Sequence, residues 1–123
     1  MQGKIRLTKS EREIMNVLWD KGEALTSFEI IKFSSNKSWK DSSIQLLLRA
    51  LLKKNIIEVE GLKKTTRNYA RAFKATISQY DYFFQENFQT MDLDRKIQFM
   101  EIIIQDASLE ELEVINSILL KKN

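Results

Sequence analysis

A mainly helical chain with one small β-hairpin, an α+β protein, is what this sequence predicts, on three observations. Patterns of the form Ser/Thr-x-x-Glu precede apolar residues at helical spacing in several places. The apolar period changes once, from about 3.6 to about 2, between residues 56 and 73. Basic residues crowd the first part of the chain, with 16 Lys+Arg against 8 Asp+Glu in residues 1–75 and 4 against 9 in residues 76–123.

The elements follow in order. Thr8-Lys-Ser-Glu11 is a capping box, with Ile14, Val17 and Leu18 behind it at helical spacing and Gly22 placed to stop the helix. Thr26-Ser-Phe-Glu29 opens a short second helix, which the polar run 34–38 breaks. A third helix is expected over 41–54, with Asn55 at its end able to take the left-handed conformation. Ile56 to Glu60 and Arg67 to Phe73 then predict two strands around a turn at 61–66. After residue 75 the pattern is helical again. Thr76-Ile-Ser-Gln79, Asp92 and Ser108-Leu-Glu-Glu111 mark three starts.

Composition narrows the function. The 123 residues suit one domain, or one module with a dimerising tail, and 43% hydrophobic content is enough for a core. There is no cysteine and no histidine, so disulfides, thiolate sites and the usual nucleophile and general base are missing. No glycine-rich phosphate loop is present. Glu110, Glu111 and Glu113 are best taken as the favourable first turn of the last helix, and Trp19 and Trp39 as packing residues. The expectation is therefore a binding protein, not an enzyme, with no cofactor and no metal. No apolar run approaches the ~18 residues of a membrane span, and MQGKIRLTK lacks a signal-peptide centre. A cytoplasmic location without membrane insertion is expected.

Three short helices followed by a basic hairpin is the order of a winged helix-turn-helix, in which the third helix enters the major groove and the wing lies along phosphates. Residues 1–75 are accordingly read as the DNA-binding domain and 76–123 as a helical dimerisation region. In the third helix Ile44, Leu47, Leu48, Leu51 and Leu52 share one arc, and Ser42, Gln45, Leu46, Arg49 and Lys53 lie opposite. Ser42 and Ser43 can meet phosphate at the helix start, Gln45 an adenine edge, and Arg49 a guanine edge or phosphate. Leu46 is the odd member, a leucine on a polar, basic face, although a lone exposed leucine is common and needs no explanation. Contact with a thymine methyl would explain it, and so would contact with another protein. Lys53, Lys63, Lys64 and Arg67 complete the DNA set as backbone contacts.

The remaining helices carry apolar stripes too short to stand alone. Ile77, Tyr80, Phe84, Phe88, Ile97, Met100, Ile104, Leu112, Ile115 and Leu119 are expected to pair with the same residues of a second copy, giving a homodimer. The competing function is a winged-helix domain used for protein contacts, which salt-insensitive binding would reveal.

Specific residues also resemble a known family. Leu7-Thr8, Glu11, Glu13-Ile14-Met15, Val17-Leu18-Trp19, Gly22, Thr26, Glu29-Ile30, Trp39, Ser43-Ile44, Leu47-Leu48, Leu51, Lys53-Lys54, Arg67 and Tyr69 resemble the penicillinase repressor family of winged-helix regulators. The resemblance implies a homodimeric repressor on a palindromic operator, displaced on induction, with a membrane sensor protease as a candidate partner. It departs at Leu46, where the family usually has threonine, at Ala50 in place of arginine, and at Asn55 in place of glycine. The tail has Gln98-Phe99-Met100 where penicillinase repressors are cut at an Asn-Phe bond, and it lacks the cysteine cluster of copper-responsive relatives.

Overall fold

The computed structural model describes residues 5–122; the first residues of the amino-terminal stretch, 1–4, and residue 123 lie outside them. The chain forms two compact units, one ending at Glu86 and one beginning at Asn87.

In the first unit, helix α1 (Lys9–Lys21) opens on the expected capping box. The Thr8 amide donates to Glu11 Oε1 at 2.8 Å, and the Glu11 amide donates to Thr8 Oγ1 at 3.2 Å. Gly22, at φ +66°, ends the helix in the left-handed conformation that favours glycine. Helix α2 (Ser27–Phe33) has the same box from Thr26 and Glu29. A 3₁₀ turn, Asp41–Ser43, leads into α3 (Ile44–Lys53), and Asn55 follows at φ +60°.

The sheet has one more strand than expected. β1 (Leu25–Thr26) pairs with β3 (Tyr69–Ala75), which also pairs with β2 (Ile57–Lys64), all antiparallel, in the order β1-β3-β2. Two residues are too few to show a period, so β1 exists only because β3 offers it a free edge. The hairpin is also longer than expected. Gly61 to Lys64 are strand, and the turn is Thr65–Asn68, so Arg67 sits on the turn and not on a strand. The Thr65 hydroxyl accepts from the Asn68 amide at 3.1 Å and donates to the Asn68 carbonyl at 2.8 Å, closing the turn locally. The glycine expected to turn the chain instead follows a bulge. Val59 faces Phe73 and Gly61 faces Ala72, leaving Glu60 unmatched, with Gly61 at φ +145°.

The core collects Ile14 and Met15 of α1, Ile30 of α2, Leu48 and Leu51 of α3, and Phe73 of β3. Buried Tyr82, from α4 (Gln79–Asn87), joins it, so the first unit reaches beyond the hairpin. The cap of α4 is Ser78, whose hydroxyl accepts from the Asp81 amide at 3.0 Å. The expected Thr76 is engaged elsewhere, donating to the Asn55 carbonyl at 2.7 Å. Half-buried Trp19 behaves as a packing residue, donating from Nε1 to the Ile77 carbonyl at 2.9 Å with its ring 5.5 Å from that of Tyr82. Trp39 is buried in the same core.

The second unit holds α5 (Leu93–Asp106), capped by Asp92, and α6 (Leu109–Lys121), opened by the Ser108–Glu111 box. Phe88 and Phe99 meet edge to face at 5.2 Å. No described residue of this unit is buried. No helix among the described residues is long and apolar enough to cross a membrane.

Candidate nucleic-acid interface

Helix α3 separates its two faces sharply. Ile44, Leu48 and Leu51 are buried, while Ser42, Gln45, Leu46, Arg49 and Lys53 are exposed and Ser43 is half-buried. The separation follows from helical geometry: residues three and four apart stack on one side, and that side meets the core. Leu46 is 67% exposed. Gln45 Nε2 lies 3.4 Å from Ser27 Oγ, so the start of α2 borders this face. Arg49 and Lys53 have no ion pair among the described residues and remain available to an anion. Asp41, the one carboxylate at the entry to α3, is paired to Lys37 at 2.8 Å.

The wing divides the predicted cations. Lys63 faces Ala70 and Lys64 faces Tyr69 in the β2–β3 register. Consecutive residues of a strand point to opposite faces. Lys63 turns to α2, its Nζ 3.1 Å from Glu29 Oε1 and 3.8 Å from Glu23 Oε1. Lys64 is exposed on the other face with Leu62, Tyr69 and Arg71. Arg67 is exposed on the turn. Glu29 therefore has two tasks, and both lower its pKa. The Thr26 amide is the largest influence favouring its carboxylate, burial opposes it, and Lys63 adds to the lowering.

A fully buried carboxylate has a long-range partner that escaped the sequence reading. Glu11 is 3% exposed, and its Oε1 accepts from Lys54 Nζ at 2.5 Å as well as from the Thr8 amide. Burial pushes its pKa up, but the Lys54 and Thr8 hydrogen bonds outweigh this and the net shift is downward. Lys54 also donates to the Arg6 carbonyl at 2.8 Å, so the end of α3 is tied to the start of α1. The capping box predicts a local role for Glu11, and nothing local points to Lys54.

The residues expected to pair two copies divide between the units. Ile77 packs against the core of the first unit. Tyr80 is 83% exposed on α4, and Phe84 is also exposed there. Phe88 packs on Phe99. Ile97, Met100, Ile104, Leu112 and Leu119 are exposed, and Ile115 is half-buried. Sequence periodicity missed the breadth of this surface, because Ile102, Val114, Ile118 and Leu120 are exposed as well.

A sequence profile described as penicillinase repressor matches residues 7–121. An uncharacterized 16.5 kDa protein in the ptsI 3′ region of Latilactobacillus sakei is 25% identical over 109 residues, covering 89% of this chain and 73% of that protein. Among solved structures, the adhesin competence repressor AdcR of Streptococcus pyogenes superposes with a TM-score of 0.47 at 16% identity, covering 97% of this chain and 80% of that one. A mutant of MepR from a multidrug resistant S. aureus clinical isolate superposes with a TM-score of 0.43 at 19% identity, covering 92% and 74%.

Proposed function

The chain belongs to the penicillinase repressor family, and on that premise we propose that it represses transcription in the cytoplasm as a homodimer on a palindromic operator. Each copy lays α3 in a major groove and its wing along the adjoining backbone. The observation that carries this reading is the division of α3, where a buried face fixes the helix and leaves Gln45, Leu46, Arg49 and Lys53 exposed. Gln45 and Arg49 read base edges, Ser42 and Ser43 meet phosphate, and Leu46 meets a thymine methyl. Lys53, Lys64 and Arg67 supply charge without sequence information. Lys63 contributes less than its neighbours, because Glu29 and Glu23 already oppose it. Two-fold symmetry then requires half-sites about one or two helical turns apart. Binding is the activity, with no catalytic step and no cofactor.

Two measurements test the interface. Fluorescence titration against the protein's own upstream DNA at several salt concentrations should give a log–log slope of several units. Reversing Lys64 and Arg67 to glutamate should weaken binding to all duplexes alike and flatten that slope, while salt-independent binding would favour a protein partner. Leu46→Ala should change preference at one position per half-site, by roughly the ~1–3 kcal/mol of a single mismatched pair. A preference matrix identical to that of the wild type would remove the thymine-methyl contact.

A further inference from the structure

Phe28 is an unexplained residue on the DNA side of the molecule. It is 70% exposed on α2, where a buried ring would be the ordinary use of a phenylalanine. Its chain neighbour Ser27 lies 3.4 Å from Gln45 on the exposed face of α3. Phe28 itself lines a cleft of about 250 Å³ together with Lys32, Lys64 and the turn residues Thr65 and Thr66. The ring thus lines the cleft between α2 and the wing expected to follow phosphates, next along the chain from the residue that borders α3.

The charge of the cleft indicates its occupant. Glu29 is its only carboxylate, and Lys63 neutralises it at 3.1 Å. Lys32 and Lys64 have no ion pair among the described residues. Thr65 is engaged within the turn, which leaves the Thr66 hydroxyl. A wall with spare positive charge and two apolar rings, the open Phe28 and the less exposed Phe33 that Lys21 covers at 4.0 Å, matches a unit that is anionic at one end and apolar in the middle. The sugar-phosphate backbone of nucleic acid has that form, and a phenyl ring has no hydrogen bond with which to read a base edge.

We propose that Phe28 packs against a deoxyribose of the operator strand running between α3 and the wing, with the adjoining phosphate taken by Lys32, Lys64 and Thr66. This rests on the DNA-binding reading above. It makes Phe28 an affinity residue with no part in base choice, and it gives α2 a contact that the sequence did not indicate.

The test uses the full chain. Phe28→Ala should lower affinity for every duplex about tenfold, which corresponds to ~1.4 kcal/mol of lost apolar burial. The salt slope should not change, because no phosphate contact is lost, whereas Lys64→Ala should reduce it by about one per site. Phe28→Leu should recover most of the loss, and the melting temperature of each variant should match the wild type, since an exposed ring leaves no cavity. Full affinity in Phe28→Ala, beside an altered base preference in Gln45→Ala, would overturn the sugar contact and leave the DNA reading standing. A change at one base position only would overturn it in favour of base readout. If the wild type itself binds no duplex at low salt, both readings fall together.

Discussion

A chain ended at Glu86 should fold and lose the proposed dimer, whereas a chain ended at Ala75 should be largely unfolded. Glu86 closes the first compact unit. Tyr82 is 5% exposed and belongs to the core of that unit, and the Ile77 carbonyl accepts the Trp19 indole N–H at 2.9 Å. Arg12 reaches Glu86 at 3.1 Å, and the Tyr82 hydroxyl donates to the same carboxylate. Ending the chain at Ala75 removes these contacts at once. Loss of one buried aromatic costs about 3–5 kcal/mol, and orphaning a half-buried N–H adds about 1–3 kcal/mol. Together they approach the total stability of about 5–15 kcal/mol expected of a small domain. The chain ended at Glu86 keeps all of them and loses the last residue of α4 and everything beyond it, α5 and α6 included. It should run as a monomer at micromolar concentration by light scattering and bind the operator about a hundredfold more weakly, the lower end of what tethering two sites supplies. A dimer persisting in that chain would place the contact on α4, where Tyr80 and Phe84 are exposed. A normal melt for the chain ended at Ala75 would show that Tyr82 is dispensable.

Glu11→Gln should cost about 2–3 kcal/mol in urea unfolding at neutral pH, with no effect on which DNA sequence is chosen. Glutamine can still accept the Thr8 amide, but it leaves Lys54 without a counter-charge at a site where the carboxylate is almost wholly buried. Removing one partner of a fully buried pair costs about 3–5 kcal/mol, and the figure is reduced here because the Lys54 side chain is 35% exposed. The pH dependence has a definite sign. The folded pKa of Glu11 lies below its ordinary value of 4.5, so its contribution is complete above that value and is lost as pH falls through the folded pKa. The wild type should therefore weaken on acidification, and Glu11→Gln should show a shallower fall over the same interval. Some dependence will remain, since Glu29 and Glu111 are shifted in the same direction. Equal stability of wild type and variant at neutral pH, with parallel acid curves, would remove the pair from the account of the fold.

Much of this protein is determined within a few residues of chain. Three capping boxes, the stop at Gly22, the left-handed Asn55 and the two faces of α3 each depend on neighbours no more than eight positions away, and each is readable from spacing. The exposed basic face of α3 and the acidic, apolar tail are readable for the same reason. Four other features depended on the tertiary structure. Leu25–Thr26 became a strand because β3 lay beside it. The bulge at Glu60 set the register that aims Lys63 at Glu29 and Lys64 at solvent. Lys54 found Glu11 across 43 positions, and Thr76 gave up the cap of α4 to hold Asn55. Helical period and capping are short-range, so pattern reveals them. Strand register and buried ion pairs depend on residues brought together only when the core closes, and no local spacing records which partners meet.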